Sequence, residues 1–283
     1  MASLLRSVLF VPGTRPDRFP KAMAAGADAV VFDLEDGVEA GRKAEARQTI
    51  GEWLASSPTS GSAQFVRVNG VRTTWIDHDL KWVASVSDRI DAVVVPKTES
   101  EQDVERVAAA APSRRVIPLL ETARGIVSAS AIAGANAEIP ALLFGAEDLT
   151  AELGIPRTLA GDEILFARSQ VVLAAATIGA DAVDAVFVNF RAHDRLRQDA
   201  IRARALGFRG KMAIHPDQVE IINDVFSPTT DEVAEAKRLL EADAAAQARG
   251  EGAYRVDDRM VDAPVIARAR RVLAIANVLQ ARK

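Results

Sequence analysis

Two short apolar runs, Arg115-Val116-Ile117-Pro118-Leu119-Leu120 and Ala141-Leu142-Leu143-Phe144, constrain this chain more than any other feature. Each is continuous rather than alternating. Each stops at acidic residues, Glu121 after the first and Glu147-Asp148 just beyond the second, and helix-forming sequence follows. An unbroken run of this length suits a strand covered on both faces, as in a parallel sheet. Carboxylates at the tips of two successive strands of that kind lie side by side at one end of the sheet. Paired oxygens with open space between them suit a hard divalent cation.

The same run-then-helix pattern recurs along the chain. Further strands are expected at Ser7–Pro12, Ala29–Asp36, Phe65–Gly70, Ala92–Lys97, Ala185–Phe190 and Lys211–His215. Helices are expected over about Arg42–Ser56, Thr74–Val86, Asp162–Ile178 and Asp194–Leu206, with others opened by the Ser100-x-x-Asp103 capping box and by Pro216. Pro58–Ser62 reads as loop. Three strands are entered through one phrase: Gly26-Ala27-Asp28-Ala29-Val30, Arg89-Ile90-Asp91-Ala92-Val93 and Gly179-Ala180-Asp181-Ala182-Val183.

Eight strand–helix units with right-handed crossovers close most naturally into a (β/α)8 TIM barrel. The alternative is an open doubly wound sheet, but the glycine-rich phosphate loop of its nucleotide-binding versions is missing. Past the barrel, Thr229-x-x-Glu232 caps a helix running to about Ala248. Arg249–Asp258 reads as a polar linker, and Asp262-Ala263-Pro264 opens a final helix. The expected division is a barrel over 1–226 and a C-terminal helical extension over 227–283, which packs on its own barrel or reaches a neighbouring subunit.

Composition narrows the function. Of 283 residues, 49% are hydrophobic, enough for a sizeable core, while a net charge of -4 argues against nucleic-acid binding. There is no cysteine, hence no disulfide, thiolate nucleophile or zinc–sulfur site, in keeping with a reducing cytoplasm. Met1–Arg6 lacks a long apolar signal-peptide core, and no run approaches the ~18 apolar residues of a membrane span. The three histidines, His78, His193 and His215, have no metal-site spacing, and no G-x-S-x-G elbow appears.

In a barrel, reacting groups gather where strands run out at the C-terminal face. Those ends carry Asp33, Glu35, Asp36, Arg67, Lys97, Glu121, Glu147, Asp148, Asn189 and His215. So many ionisable groups in one place are costly unless paired or holding a metal. Arg67, flanked by Phe65-Val66 and Val68, has two readings: a buried ion pair to Asp33 or Glu35, or a bidentate clamp for a substrate carboxylate. Glu121 and Asp148 have two as well, metal ligands or helix-start and salt-bridge residues. Asp33, Glu35 and Asp36 support the same site or solvate a loop, and His215 reads as a helix-start residue.

Taken in order, SVLFVPGTRPDRFPKA, VFDLEDGV, VRVNG, VPKTES, LLETARGI, FGAEDL, GKMAIHPDQV and MVDAP resemble the citrate lyase β-subunit-like and malyl-CoA lyase group of CoA-ester lyases, within the HpcH/HpaI aldolase superfamily. The match covers nearly the whole chain. It implies a (β/α)8 barrel assembled as a homotrimer or hexamer, a Mg2+ or Mn2+ ion, and a CoA thioester and a 2-oxo acid as substrates. Glu121 and Asp148 match the family's metal ligands, and Arg67 matches the arginine that contacts the 2-oxo acid. Asp262 matches an acid reaching an adjacent subunit's site, although an N-cap on the last helix is its structural reading. Arg15 and Arg18 lie in a phrase resembling a segment near the CoA path, and Lys97 joins the substrate-binding candidates. The implied reaction is Mg2+-dependent cleavage or formation of a 3-hydroxyacyl-CoA. A citrate lyase β subunit working with an acyl carrier protein, a malyl-CoA thioesterase and a non-catalytic 2-oxo acid or CoA sensor are the alternatives.

Overall fold

Alternation within each strand decides where its side chains go. Val8, Ala29, Val31, Phe65, Ala92, Val94, Ile117, Leu119, Ala141, Leu143, Val183 and Met212 form one buried cluster. Their strand neighbours, among them Leu9, Val30, Phe32, Val66, Val93, Val116, Leu142 and Ala213, join a second, larger cluster with the helices. A strand that buries both faces needs cover on both, and a closed barrel wrapped in helices supplies it.

The computed structural model describes residues 4–56, 61–111, 114–248, 250 and 252–282. Eight parallel strands close in sequence order: β1 (Ser7–Pro12), β2 (Ala29–Asp33), β3 (Ala63–Arg67), β4 (Ala92–Val95), β5 (Arg115–Leu120), β6 (Ala141–Phe144), β7 (Asp181–Asp184) and β8 (Gly210–Ala213). β8 returns to β1 through Ser7↔Lys211, Val8↔Met212 and Leu9↔Ala213. The helices between and after them are α1 (Phe19–Met23), α2 (Lys43–Ser56), α3 (Ile76–Val86), α4 (Glu101–Ala110), α5 (Ala123–Val127), α6 (Ala129–Ala133), α7 (Ala146–Leu153), α8 (Leu165–Thr177), α9 (His193–Leu206) and α10 (Val219–Phe226). The expected (β/α)8 barrel is the observed one. The Ser100 capping box is present, with the Ser100 side chain accepting from Asp103 N and the Asp103 side chain accepting from Ser100 N.

The chain divides into two compact units, Met1–Phe226 and Ser227–Lys283. In the second, α11 (Thr230–Ala248) packs with α12 (Ala263–Ala281), and a hairpin of β9 (Tyr254–Val256) and β10 (Arg259–Val261) lies between them in sequence. Thr229 Oγ1 accepts from Glu232 N at 3.1 Å and Glu232 Oε2 accepts from Thr229 N at 2.8 Å, closing the expected box at the start of α11.

Two expected elements differ. The seventh strand is Asp181–Asp184, ahead of the Ala185–Phe190 run read as strand. That run leaves the sheet, and Val188 is exposed. The sequence misleads here because Ala185 and Phe187 pack with the barrel–helix cluster from a loop, while the strand itself ends in a charge that buried cations neutralise. The stretch read as a linker contains the β9–β10 hairpin, whose turn begins at Asp257 with φ of 52°, a conformation short aspartate side chains tolerate in two-residue turns. Other strands end two or three residues earlier than expected, at Asp33, Arg67, Val95 and Ala213. The expectations for Met1-Ala2-Ser3, for Pro58-Thr59-Ser60 as loop and for Arg249 and Glu251 in the linker lie outside the described residues. No helix among the described residues is long and apolar enough to cross a membrane.

Candidate active site

At the C-terminal ends of β2 to β6 the inward layer turns from apolar to charged. Asp33 ends β2, and its register partner Arg67 ends β3. Both Asp33 oxygens accept from Arg67, from Nε at 2.6 Å and Nη2 at 2.7 Å, and Nη1 lies 3.0 Å from Glu35 Oε2. The ion-pair reading of Arg67 is therefore the arrangement present. A guanidinium carries five N–H groups, and these contacts use one on each nitrogen, leaving one on each terminal nitrogen for a ligand. Burial opposes the charge on both partners. Each nonetheless keeps it more firmly than usual, with Asp33 held below the ordinary carboxylate range and Arg67 above its ordinary value, because each faces the other.

The loop after β2 is folded around the same carboxylate. Asp33 accepts from Glu35 N at 2.8 Å and Gly37 N at 2.9 Å, and a Cβ at Gly37 would fall 2.5 Å from Asp33 Oδ2. Lys43, buried at the start of α2, donates to the carbonyls of Leu34 and Glu35, each at 2.8 Å. Glu35 is thereby fixed below the mouth, where burial pushes its carboxyl up despite the nearby Arg67 and Lys97.

Lys97, two residues past β4, joins the two sides of the mouth. Its backbone is left-handed, with φ of 50°, a conformation costing roughly 1 kcal/mol or more in an L-residue that is not glycine. In that conformation Lys97 N donates to Glu121 Oε1 at 2.9 Å, while Nζ reaches Glu35 Oε1 at 2.5 Å, Asp36 Oδ2 at 3.0 Å and Asp148 Oδ1 at 3.4 Å. Burial disfavours the ammonium, but the bond to Glu35 holds its pKa above the ordinary value.

Glu121 is the residue least well compensated. It follows β5, is 3% exposed, and takes one hydrogen bond, on Oε1. Among the described residues no group donates to its Oε2. Burial first, then the charge of Asp148, push its carboxyl up to about 8 against the pull of Arg67. Asp148 lies in the first turn of α7 and is 37% exposed. Gly145, which precedes that helix, makes the approach possible: a Cβ there would fall 2.5 Å from both Cβ and Oε2 of Glu121.

The charge count at the mouth is unbalanced. Counted as ionised, Asp33, Glu35, Asp36, Glu121 and Asp148 outnumber Arg67, Lys97 and Lys43 by two, an excess that Glu121 relieves by keeping its proton. Elsewhere the barrel balances its buried charges. Arg168 on α8 and Lys211 on β8 are paired with Asp184 on β7 and Asp199 on α9, at distances of 2.5–2.9 Å. The mouth therefore fits a hard divalent cation. Among the described residues no three His, Cys, Asp or Glu side chains form a ready metal cluster. A donor set of two carboxylates leaves the other octahedral positions to water and substrate oxygens, a frequent arrangement for Mg2+.

The remaining candidates are placed as follows. Arg15 is at the surface, forked onto Asp17 at 2.9 and 2.8 Å, and is tied to none of the mouth carboxylates. Glu147 pairs with Arg157 at 2.6 Å. Asn189 lies in the loop beyond β7, its carbonyl accepting from Ala192 N. His215 caps the turn behind β8, Nδ1 accepting from Asp217 N at 3.2 Å, and its ring stacks on Phe190. Asp262, in the second unit, caps α12 by accepting from Val265 N at 3.3 Å. Sequence reasoning passed over Gly145, Lys43 and the left-handed backbone of Lys97. Only Gly145 carried a signal, a glycine between an apolar run and paired acids.

The fold and this acidic mouth define a (β/α)8 barrel with a cation-fitting site at the C-terminal ends of its strands. The HpcH/HpaI aldolase/citrate lyase model matches residues 6–216, and the chain belongs to that family. A citrate lyase subunit beta-like protein from Deinococcus radiodurans is 40% identical, covering 96% of this chain and 97% of its own. A (3S)-malyl-CoA thioesterase from Cereibacter sphaeroides is 37% identical, covering 98% and 96%. The crystal structure of the protein CitE from Mycobacterium tuberculosis, in complex with magnesium, acetoacetate and coenzyme A, superposes with a TM-score of 0.82 at 35% identity over 98% of this chain and 100% of its own.

Proposed function

We propose that this protein is a Mg2+-dependent CoA-ester lyase that cleaves or forms the C–C bond of a 3-hydroxyacyl-CoA such as malyl-CoA or citramalyl-CoA. The products of cleavage are a 2-oxo acid and acetyl-CoA or a related acyl-CoA. The observation that carries this reading is the buried, under-compensated Glu121 carboxylate beside Asp148, with Arg67 across the same mouth. Glu121 and Asp148 hold the ion, which when bound supplies Lewis-acid stabilisation to oxygen atoms of the substrate.

The chain's own residues do the rest. Arg67, locked by Asp33 and Glu35, turns its remaining N–H groups to the substrate's carboxylate and to the oxygen that becomes the 2-oxo carbonyl. Cleavage releases the hydroxyl proton to solvent, turns that C–O bond into a carbonyl and sends the C–C electron pair to the thioester α-carbon. The resulting acyl-CoA enolate takes up a proton, and synthesis requires its removal. Asp262, presented by a neighbouring chain of a homotrimer or hexamer, is the group for that transfer. Lys97 keeps Glu35, Asp36 and Asp148 from repelling the anionic substrate.

The decisive assay offers a panel of 3-hydroxyacyl-CoA esters with and without Mg2+, scored for free thiol and 2-oxo acid together. A lyase releases the 2-oxo acid with no free thiol. The reverse result identifies a thioesterase, the reading favoured by the malyl-CoA thioesterase relative. Undiminished turnover after treatment with EDTA would remove the metal from the mechanism.

A further inference from the structure

The other half of the mouth is apolar, and nothing in the mechanism above uses it. Phe10 on β1 packs on the barrel-interior cluster, and so does Val186 in the loop after β7. Met212 belongs to that interior cluster, Ala213 ends β8 facing the helices, and Ile214 follows directly, past the strand end. There it is 43% exposed. Leu9 pairs with Ala213 in the register of β1 and β8, so Phe10 and Ile214 are each the next residue along neighbouring backbones. The buried Gln218 fastens the remaining contact. Its Nε2 donates to Phe187 O at 2.7 Å while its Oε1 accepts from Ile214 N at 2.9 Å. Phe10 also meets the charged half directly, with the Arg67 guanidinium 5.1 Å above its ring.

We propose that Phe10, Val186 and Ile214 form a wall that reads an alkyl substituent of the substrate and makes them specificity-determining residues. This rests on the lyase reading of the site. An apolar surface beside the acidic half of the mouth gains nothing in the free protein. It gains when a substrate methyl covers it while the oxygens of the same substrate turn to the charged half. The methyl has two sources, the 2-oxo acid half, as in a pyruvate-derived ester, or the acyl half, as in a propionyl-derived one.

The variants Val186→Thr and Ile214→Thr keep the branching at Cβ, and neither residue is among the hydrogen-bond or ion-pair partners of Arg67, Glu121 or Asp148. Each is assayed with Mg2+ on malyl-CoA, citramalyl-CoA and β-methylmalyl-CoA. The expected result is a kcat/KM for one methyl-bearing ester falling about 5- to 10-fold more than that for malyl-CoA, the scale of one buried methyl group. Citramalyl-CoA falling places the wall at the 2-oxo acid half, and β-methylmalyl-CoA falling places it at the acyl half. Equal losses on all three esters, or none, overturn the proposal. Mg2+-dependent binding of pyruvate against glyoxylate, and of propionyl-CoA against acetyl-CoA, is measured by calorimetry on the same variants and needs no turnover. A wild type that cleaves none of the esters yet prefers the methyl-bearing member of one pair, with that preference lost in the variants, sinks the lyase reading and leaves the wall standing. No cleavage together with unchanged preferences in both pairs sinks both.

Discussion

Glu121 holds a proton that the unfolded chain has lost between about pH 4.5 and 8. In that window the folded state binds more protons than the unfolded one, so raising the pH lowers the stability of the metal-free protein. Glu121→Gln removes that slope. It is expected to raise the metal-free melting temperature at pH 8, measured by scanning calorimetry, while abolishing any rise on adding Mg2+. Asp148→Ala is expected to lose lyase activity with its melting temperature within a few degrees of wild type, since Asp148 is one-third exposed. Gly145→Ala tests the approach of β6 to β5. The added methyl occupies the space of the Glu121 carboxylate, so Mg2+ affinity is expected to fall at least ~10-fold by calorimetric titration. An unchanged affinity would show that Glu121 is not held as described.

At the scale of elements, most of the architecture was legible because its signal is local. Apolar runs marked seven of the strands, and the caps at Ser100, Thr229 and Asp262 marked helix starts where they occur. The seventh strand was not legible. It ends in Asp184, and the cations that neutralise that charge, Arg168 and Lys211, arrive from α8 and β8. The partners of Arg67 were legible as a pair of alternatives but not as a decision, because β2–β3 register fixes it. The Arg168–Asp184–Lys211–Asp199 cluster also makes a prediction. Burial pushes Asp199 up, but Lys211 and Arg168 outweigh it and hold the carboxyl at about 2, against an ordinary value of 3.8. Its contribution of about 2 kcal/mol is therefore present above pH 4 and lost as the pH falls toward 2. Asp199→Asn is expected to destabilise by at least that amount in urea at pH 7, by about half as much at pH 3, and by little at pH 2.

For the whole molecule, the question is whether one chain is sufficient. The proton-transfer role proposed for Asp262 requires a second copy, because that residue would serve a neighbour's barrel. Asn is as good an N-cap as Asp, so Asp262→Asn is expected to keep the melting temperature and Mg2+-dependent oxaloacetate or glyoxylate binding while losing turnover. Mixing that variant with Glu121→Gln under exchange conditions should restore roughly a quarter of the wild-type rate, as random reassembly of cyclic oligomers creates some intact sites. No recovery on mixing would assign Asp262 to its helix cap alone.

The pairing of Ser7 with Lys211 sets a timetable for this chain. The barrel's β1 must wait about two hundred residues for its second neighbour, because loop closure over such a span precedes any return from the contacts it brings. During that interval two sheet edges stand open, and such edges recruit other chains. A fragment ending before Gly210 should consequently precipitate or bind chaperones rather than persist as a smaller barrel, and refolding yield should fall steeply with protein concentration.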